Sequence, residues 1–460
     1  MIEKKILELK DMIDIENDIT PFENIAFKGI SINSREIEPG NLFIPLKGER
    51  TDGHQYVQMA LENGAAASLW QADIPNPPEN QPVIIVKDTL LALQEMARAY
   101  RDELPLKVAA VTGSNGKTTT KDILASLLSL KYKVQKTIGN FNNELGLPLT
   151  ILGLRKDTEV AVLEMGMSQF GEIDFLTNLA KPDAAIITNI GEAHLQDLGS
   201  REGIAKAKLE ILHGLKQGGL FVYPGDEPLI QNAMKEKGSS WMVKTFGKTS
   251  KNDIYPTSVT MTGTESVFQI NDSNETFRMP VLGEYNVMNA LAAMTVAYEW
   301  GVPYEQMNDA FKSLKLTKMR MEMLKGLNGA TILNDAYNAS PTSMLAVIRL
   351  VEQLPGYRKK ILVLGDMLEL GDEEKDFHYQ VGKSINPEKI DLLYTYGPLA
   401  SYIAEGAKEH FSEEKIKTYH DKPLLITQLK KELEEGTFVA VKASRGMKLE
   451  EVVGAITSHQ

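Results

Sequence analysis

The sequence predicts an α/β protein of three domains: a small N-terminal α/β domain, a central P-loop nucleotide-binding domain with a mostly parallel sheet, and a C-terminal doubly wound, Rossmann-like domain. Its length of 460 residues is typical of roughly two to four domains. Short apolar runs alternate with helical patterns over most of the chain, as they do in βα units. A glycine-rich turn near residue 113 joins one such run to a helix. We place the domains at 1–103, 104–316 and 317–460.

Composition excludes several classes of protein. The hydrophobic fraction of 43% is sufficient for packed cores, and the net charge of −12 without a basic tract argues against a nucleic-acid partner. The absence of cysteine excludes disulfides and cysteine-based zinc sites. No apolar run approaches the roughly 18 residues of a membrane span, and no apolar signal region follows the N-terminal residues. We therefore expect a cytoplasmic protein without a membrane span.

The N-terminal segment, 1–103, is predicted to be a small α/β domain without a nucleotide loop. Apolar runs predict strands at 42–46 and 82–86, and a helical pattern between them ends at Gly64. Solvated surface positions are the simpler interpretation of the polar residues in this segment. Three of them could instead bind an anionic ligand, namely Ser34, Arg35 and Lys47.

The stretch 108–120 predicts a phosphate cradle. An apolar run typical of a buried parallel strand is followed by a turn of small residues, and Lys117 begins a helical pattern. In this arrangement main-chain N–H groups and the helix N-terminus surround phosphate oxygens, the Lys117 ammonium reaches the β/γ-phosphates, and the Thr118 hydroxyl can bind Mg²⁺. The standard P-loop has a glycine at the position that Val111 occupies here. The nearest glycine is Gly113, so this loop is shorter than the standard one. An ordinary glycine-rich strand–helix turn is the alternative. The predicted nucleotide contacts are Gly113, Ser114, Asn115, Gly116, Lys117, Thr118 and Thr119.

Two strand ends downstream of the cradle predict a Mg²⁺ site. Glu164 follows the apolar run 160–163, and His194 follows the strand predicted at 184–190. Open α/β sheets bind ligands at the carboxyl ends of their strands, and Mg²⁺ needs few protein ligands. The alternatives are a helix-capping role for Glu164 and either a substrate contact or a structural role for His194. Nothing in the spacing distinguishes Lys208, whose helix carries charges typical of a solvated face.

Two further segments are rich in side-chain amides. Asn142 and Asn143 lie in a predicted turn-rich loop that could hold a polar substrate or a phosphoryl group, or could be a plain loop. Asn286 and Asn289 share one face of a predicted helix. They could contact an adenine edge or cap the helix, and their spacing does not decide between these roles.

The C-terminal segment, 317–460, predicts a doubly wound sheet. Polar clusters follow its predicted strands, as at Asp366, Glu369 and 442–446, and the segment has no second cradle. We therefore predict a substrate-holding lid that faces the nucleotide domain. The predicted strands lie at 331–334, 360–365, 392–396 and 437–441.

Taken in order, these motifs resemble the ATP-dependent Mur ligases of bacterial cell-wall synthesis over nearly the whole chain. That family shares the shortened cradle. The matching motifs lie at 112–119, 139–143, 164–166, 189–194, 286–289 and 335–341. Within the family, 365–371 with His378, the segment 441–448 and the methionine after Glu164 resemble the member that adds D-alanyl-D-alanine. The Asp-Asn-Pro-Arg signature of the sibling that adds diaminopimelate or lysine is absent.

The resemblance implies an ATP-dependent ligase that forms a peptide bond. ATP would phosphorylate the terminal carboxylate of a UDP-MurNAc-tripeptide, and the amine of D-alanyl-D-alanine would attack the acyl phosphate. The products would be UDP-MurNAc-pentapeptide, ADP and phosphate. The protein would mainly position the reactants and neutralise phosphoryl charge. The residues expected to take part are Lys117, Glu164, His194, Lys208 and Arg320.

The resemblance also implies a role for each remaining candidate residue. Mg²⁺ would be bound by Thr118, Glu164, His194 and Lys208, the last at the position of a carbamylated lysine. Adenine and ribose would be held by Asn289, Asp335 and Asn338. Substrate-binding candidates are Ser34, Arg35 and Lys47 for the UDP-sugar, Asn142 and Asn143 in the central domain, and Asp366, Ser444 and Arg445 for the dipeptide. We expect a monomer whose third domain closes over ATP.

Three alternatives remain at this point. Another Mur ligase would add a single amino acid. A folylpolyglutamate synthase shares the fold and the cradle but lacks the UDP-sugar domain. A nucleotide-driven switch or scaffold would turn over ATP without requiring an acceptor acid and an amine.

Overall fold

The computed structural model describes residues 1–48, 51–236 and 240–458. The N-terminal part contains β1 (Glu3–Lys5), β2 (Ala26–Lys28), β3 (Ile30–Ser31), β4 (Leu42–Phe43), α1 (Val57–Glu62), β5 (Ala67–Gln71), β6 (Val83–Val86) and α2 (Thr89–Glu103). Strands β3 to β6 form a parallel sheet in sequence order, and β1 pairs with β2 in an antiparallel ribbon. The strand predicted at 42–46 is shorter than expected, because Pro45 has no N–H group to donate to a ladder.

The central part is built on a six-stranded parallel sheet of order β12-β11-β10-β7-β9-β8, accompanied by an antiparallel sheet of order β13-β14-β15. The elements are β7 (Lys107–Thr112), α3 (Lys117–Leu128), β8 (Val134–Lys136), α4 (Gly146–Leu152), β9 (Val160–Glu164), α5 (Glu172–Ala180), β10 (Ala184–Ile187), α6 (Leu195–Leu198), α7 (Arg201–Lys208), α8 (Ile211–Gly214), β11 (Leu220–Pro224), α9 (Pro228–Glu236), β12 (Met242–Phe246), β13 (Pro256–Met261), β14 (Ser266–Ile270), β15 (Phe277–Met279), α10 (Glu284–Glu299) and α11 (Tyr304–Lys312).

The C-terminal part holds a second six-stranded sheet, of order β16-β17-β21-β18-β19-β20, in which only the edge strand β16 is antiparallel. Its elements are β16 (Glu322–Lys325), β17 (Thr331–Asp335), α12 (Pro341–Gln353), β18 (Lys359–Gly365), α13 (Glu374–Lys383), β19 (Leu392–Tyr396), α14 (Ala400–Ala407), β20 (Ile416–Tyr419), α15 (Lys422–Lys430), β21 (Thr437–Lys442) and α16 (Glu450–Ile456). The predicted three-domain α/β fold class is confirmed.

Strand β7 shows why the cradle stands at the centre of the molecule. It lies between β10 and β9, so both of its faces are covered, and an uninterrupted apolar run is required. Ala109 and Val111 pack into the core on the α3 and α10 side, whereas Val108 and Ala110 face the core shared with α2 and α5. The carboxyl end of β7 therefore emerges at the middle of a rigid sheet edge.

The carboxyl ends of the two large sheets face each other across this edge. Ser340 at the start of α12 donates a hydrogen bond to Asn115 of the cradle loop at 3.2 Å, and Thr342 donates to Glu192. The fold thus brings the polar strand ends of both sheets to one cleft.

Among the helices of the described residues, none combines the length and apolarity needed to cross a membrane.

Candidate active site

The cradle loop is held in shape by the segment that follows β10. The Asn115 N–H donates to the Asn189 side-chain oxygen at 3.0 Å, and the Asn189 amide nitrogen donates back to the Asn115 carbonyl at 2.9 Å. The Ser114 hydroxyl accepts a hydrogen bond from the Gly191 N–H at 2.9 Å. These reciprocal bonds fix the loop before any ligand arrives, which favours tight anion binding.

The glycine before the cradle lysine is required by geometry. Gly116 has a φ of +79°, and a Cβ atom at this position would lie 2.4 Å from the Asn289 side-chain oxygen. Only glycine satisfies both the left-handed backbone and the close approach. Gly116 therefore lets the cradle pack directly against α10, which carries Asn289.

Replacement of Gly116 by alanine is expected to lower the free energy of unfolding by about 2 kcal/mol, since it combines left-handed strain with a steric overlap. It should also weaken nucleotide binding, because Asn289 must move. Gly218→Ala is the matched control: its φ is +72°, but a Cβ there meets no atom within 4 Å. Urea unfolding and calorimetric titration with ADP check both variants. Equal nucleotide affinity in the two variants would contradict the assignment of this contact to the site.

The Lys117 ammonium is bound by carbonyl groups of the cradle loop. Its Nζ donates to the Gly113 carbonyl at 2.8 Å and lies 3.4 Å from that of Ser114. Burial lowers the pKa of Lys117 to about 8, the Glu164 carboxylate opposes this shift, and Arg320 adds to it. The ammonium is thus a poorly solvated cation held by two carbonyl oxygens, which phosphate oxygens can replace.

Glu164 ends β9 with its side chain buried at 1% exposure. Its Oε1 accepts a hydrogen bond from the Asn142 amide at 2.9 Å, while Oε2 has no hydrogen-bond partner among the described residues. The Lys121 ammonium lies 3.8 Å from Oε2, which is beyond hydrogen-bond range. A buried carboxylate oxygen without a hydrogen bond is costly, and a bound cation would satisfy it.

His194 has a left-handed backbone, with a φ of +62°, at the start of α6. Its Nδ1 lies 3.0 Å from the Glu369 carboxylate of the C-terminal sheet, but the angles are not those of a hydrogen bond. Burial and the nearby Lys117 charge lower the pKa of His194. The imidazole is therefore held neutral, which is the form that binds metals.

Lys208 differs most from what its sequence context indicates. It ends α7 with only 2% of its surface exposed. Burial, followed by the charge of Lys117, holds its pKa well below the ordinary value, and no carboxylate among the described residues offsets this. A lowered pKa increases the share of the uncharged amine, which is the nucleophilic form of lysine.

The charges of these groups act on one another. The charge of Lys117 lowers the pKa of His194 and of Lys208, and the Glu164 carboxylate raises that of Lys117. Thr118, in the first turn of α3, is also buried. Within the described ranges, no group of three or more histidine, aspartate or glutamate side chains could hold a metal by itself. A Mg²⁺ ion here would therefore take few of its ligands from the protein and the others from waters and phosphate oxygens.

A cavity of about 320 Å³ adjoins the cradle, between the central and C-terminal sheets. Its lining includes the predicted nucleotide contacts Asn115, Gly116, Thr119, Asn289, Asp335 and Asn338, and also Arg320, which was predicted to be catalytic. Lys442, from the polar cluster predicted at 442–446, lines it as well, although no role was predicted for it. Lining residues that were not predicted include Thr188, Asp226, Phe246, Tyr285 and Met288. The missed aromatic and apolar side chains could not be told from core residues, because only their position in the fold turns them toward the cavity.

Asp335 and Asn289 are each oriented by a neighbour. The Lys442 ammonium donates to Asp335 at 2.5 Å and to the Asn338 carbonyl at 2.9 Å. On α10, Asn289 donates to Asn286 at 3.1 Å, and Asn286 donates to the Leu282 carbonyl. The spacing of the two asparagines had left their roles open. In the structure Asn286 holds the side chain of Asn289 by a hydrogen bond, and Asn289 borders the cavity.

Arg320 lies in the same cavity wall. Its guanidinium carbon is 3.9 Å from the centroid of the Tyr337 ring, and its Nε has no hydrogen-bond partner among the residues described. A stacked guanidinium with a free donor is suited to bind an anion.

The predicted residues of the N-terminal domain differ in exposure: Ser34 is buried, whereas Arg35 and Lys47 are exposed. A second cavity, of about 280 Å³, lies between this domain and the central one, and Ser31, Asn33 and Lys136 are among its lining residues. Ser31 and Asn33 are close to Ser34 and Arg35 in the sequence, and this is a signal that could have identified them. Lys136 is distant in the sequence and reaches the cavity only through the fold.

The other substrate candidates use their side chains within the protein. Asn142 holds Glu164, and the Asn143 side chain accepts the Gly146 N–H at 2.9 Å. Two residues at the C-terminal sheet edge bind backbone N–H groups: Asp366 accepts from Ala400 at 2.6 Å, and Ser444 accepts from Leu368 at 2.9 Å. Arg445 is exposed and lies 2.9 Å from Glu450. Their contact with substrate stays a prediction.

Comparison with known proteins gives three family matches that together span most of the chain. The Mur ligase family catalytic domain matches residues 26–101, the Mur ligase middle domain matches 111–297, and the Mur ligase glutamate ligase domain matches 319–445.

Individual relatives match over almost their full length. The chain is 51% identical to the UDP-N-acetylmuramoyl-tripeptide–D-alanyl-D-alanine ligase of Bacillus subtilis, over 98% of both chains. A crystal structure of MurF from Acinetobacter baumannii superimposes with a TM-score of 0.86 at 30% identity, covering 98% of both chains. The MurF ligase of Thermotoga maritima in complex with ADP gives a TM-score of 0.81 at 31% identity, covering 93% of this chain and 96% of the other.

Proposed function

We infer the reaction of this protein from its family: the chain belongs to the Mur ligases. It is an ATP-dependent ligase that joins D-alanyl-D-alanine to UDP-N-acetylmuramoyl-tripeptide in peptidoglycan synthesis. The observation that carries this conclusion is the 51% identity to a ligase of that name over 98% of both chains. The reaction proceeds through an acyl phosphate, which turns a poor leaving group into a good one.

The cradle residues supply most of the charge stabilisation that phosphoryl transfer requires. Lys117 would exchange its two carbonyl partners for phosphate oxygens. Arg320, stacked on Tyr337, would face the transferred phosphoryl group from the C-terminal side. The amide of Asn289 and the Asp335 carboxylate, held by Lys442, would orient the adenine and ribose. Little covalent chemistry is left for the protein, so positioning dominates catalysis.

The residues present fit a bound Mg²⁺. The Oε2 of Glu164, which accepts no hydrogen bond among the described residues, the imidazole of His194 and the hydroxyl of Thr118 are the donors that would hold it. When bound, Mg²⁺ supplies positive charge beside the phosphates. Asn142 would keep Glu164 aimed at the ion through its hydrogen bond.

We propose that Lys208 is carbamylated. The uncharged form of a buried amine can add to CO₂ with release of one proton to solvent, and the resulting carbamate anion would have Lys117 as a nearby counter-charge. The change would replace a poorly solvated amine by an oxygen ligand for a second metal ion. It would also explain why a lysine without a carboxylate partner is buried here.

Carbamylation is expected to give a carbamate carbon signal when the enzyme is equilibrated with ¹³C-bicarbonate and examined by NMR. The signal should be absent in Lys208→Met, which keeps the length and apolarity of the side chain. Lys206→Met is the control, because Lys206 lies exposed on the same helix. A signal that persists in Lys208→Met would contradict the assignment.

The three segments have separate tasks in this proposal. Residues 1–103 would bind the UDP-sugar, 104–316 would bind ATP, and 317–460 would close over ATP and hold the dipeptide.

We propose that the protein acts as a monomer in the cytoplasm. One chain supplies the described lining of the cavity, and both ATP and UDP-linked sugars are cytoplasmic metabolites.

Isotope transfer tests the proposed reaction. With ¹⁸O in the terminal carboxylate of the tripeptide substrate, one ¹⁸O atom should appear in the released phosphate. The acyl phosphate forms through a carboxylate oxygen, and that oxygen leaves with phosphorus when the amine attacks. Phosphate free of ¹⁸O, with pentapeptide formed, would contradict the acyl-phosphate route.

A further inference from the structure

Asp122 is a buried carboxylate that the nucleotide site does not use. It lies on α3, little more than one turn beyond the cradle lysine, and is 1% exposed. Its Oδ1 accepts a hydrogen bond from Lys136 at 2.6 Å, and Lys121 lies 3.5 Å away. Its Oδ2 accepts two hydrogen bonds from Thr317, from the N–H at 2.7 Å and from the hydroxyl at 2.8 Å. Charge-assisted bonds of this kind hold their partners firmly.

Thr317 belongs to the linker between the central and C-terminal domains, defined here as residues 313–321 between α11 and β16. Within this linker Met319 and Met321 have φ angles of +62° and +52°. The left-handed region is unfavourable for such side chains, so the surrounding structure must impose it. Arg320 lies between these two methionines and borders the nucleotide cavity. The backbone thus turns sharply on each side of the arginine.

We propose that Asp122 is a positioning residue that anchors Thr317 to the central domain, so that the linker turns only beyond this point and carries Arg320 to the phosphates. Arg320 is three residues from the anchor and therefore within about 11 Å of it along the chain. Without the hydrogen bonds from Thr317 to Asp122, the whole linker could shift, and the position of Arg320 relative to the central domain would no longer be fixed. This inference rests on the proposed function for the role of Arg320.

The anchor is also joined to the other parts of the site. Lys136, which binds Asp122, lines the cavity between the N-terminal and central domains. Lys121 lies 3.8 Å from Glu164 Oε2. The carboxylate of Asp122 therefore connects the linker to Glu164 through Lys121, and to the cavity beside the N-terminal domain through Lys136.

Thr317→Val tests the anchor, because it removes the hydroxyl bond and preserves the shape of the side chain. We expect kcat to fall about tenfold, the effect of one lost hydrogen bond to a charged group. Thr317→Ser should restore kcat. Thr20→Val is the matched control: the N–H and hydroxyl of Thr20 both donate to Asp18, at 2.9 and 2.6 Å, far from the site in the N-terminal domain. Its kcat should equal that of the wild type.

A double-mutant cycle shows whether the anchor acts through the arginine. If it does, Thr317→Val combined with Arg320→Ala should be no slower than Arg320→Ala alone. Multiplied losses, or an unchanged kcat in Thr317→Val, would overturn the proposal. A merely structural role would lower the melting temperature without producing this non-additivity.

A distance measurement tests the anchor without relying on turnover. The chain contains no cysteine, so labels can be placed at the exposed positions Lys312→Cys and Glu413→Cys, one on each domain. We expect Thr317→Val to broaden the label distance distribution with ATP bound, and Thr317→Ser to restore it. Identical distributions would overturn the anchor. A wild type without ligase activity would instead contradict the proposed function.

Discussion

Lys117→Ala is expected to lower kcat by about 10³-fold while the protein remains folded. In the proposed reaction Lys117 is the cradle cation that faces the transferred phosphoryl group, and removal of such a charge from phosphoryl-transfer enzymes has effects of this order. Unfolding would not explain the loss. Burial lowers the pKa of Lys117 to about 8, so the folded state gains little from this charge, and its removal should leave the melting temperature unchanged or slightly higher.

Phosphate release under saturating substrates measures the effect, with thermal unfolding in parallel. Lys312→Ala provides the control, since the side chain of that lysine is 75% exposed and its ion-pair partner among the described residues is Asp309, in the preceding turn of α11. It should retain full activity. Turnover by Lys117→Ala within about tenfold of the wild type would show that the cradle does not bind the reacting phosphates.

Glu164→Gln is expected to raise the Mg²⁺ concentration for half-maximal activity on the order of 100-fold. The amide has the shape of the carboxylate, and its oxygen can still accept the Asn142 hydrogen bond, so the fold should be preserved. The charge facing the ion is lost. A Mg²⁺ titration at fixed ATP checks this result.

Glu159→Gln makes the same change at the opposite end of β9, where the carboxylate accepts the backbone N–H of Lys133 at 2.7 Å. It should leave the Mg²⁺ dependence unaltered. If Glu164→Gln also left it unaltered, Glu164 would be a structural residue whose charge balances the Lys121 ammonium, 3.8 Å from its Oε2.

Local patterns predicted the strand, the glycine turn and the helix start at the centre of this candidate site. The strand, short glycine loop and Gly116-Lys117-Thr118 sequence are contiguous, so periodicity and glycine placement were sufficient. Glu164 and His194 could be found because parallel strands expose their carboxyl ends at the same edge. The antiparallel sheet β13–β15 was not predicted. Its aromatic residues Phe268 and Phe277 pack against Phe311 of α11.

Features that depend on tertiary packing could not be predicted. Lys208 has the sequence context of a solvated face, yet the packing of its helix buries it. Phe246 and Tyr285 come from distant elements and reach the cavity only when the sheets face each other. The hydrogen bonds of Asp366 and Ser444 to backbone N–H groups are likewise invisible in the chain, where both looked like free polar residues at strand ends.

The most direct test of the central claim is phosphate release from ATP with a matrix of substrates. Each UDP-MurNAc-peptide intermediate would be paired with D-alanyl-D-alanine, L-lysine, diaminopimelate or D-glutamate, and also assayed alone. We predict turnover only when a tripeptide and D-alanyl-D-alanine are both present, and comparison of the lysine and diaminopimelate tripeptides would identify the preferred third residue. Turnover with a shorter acceptor and a single amino acid, or turnover that requires no acceptor, would contradict the account.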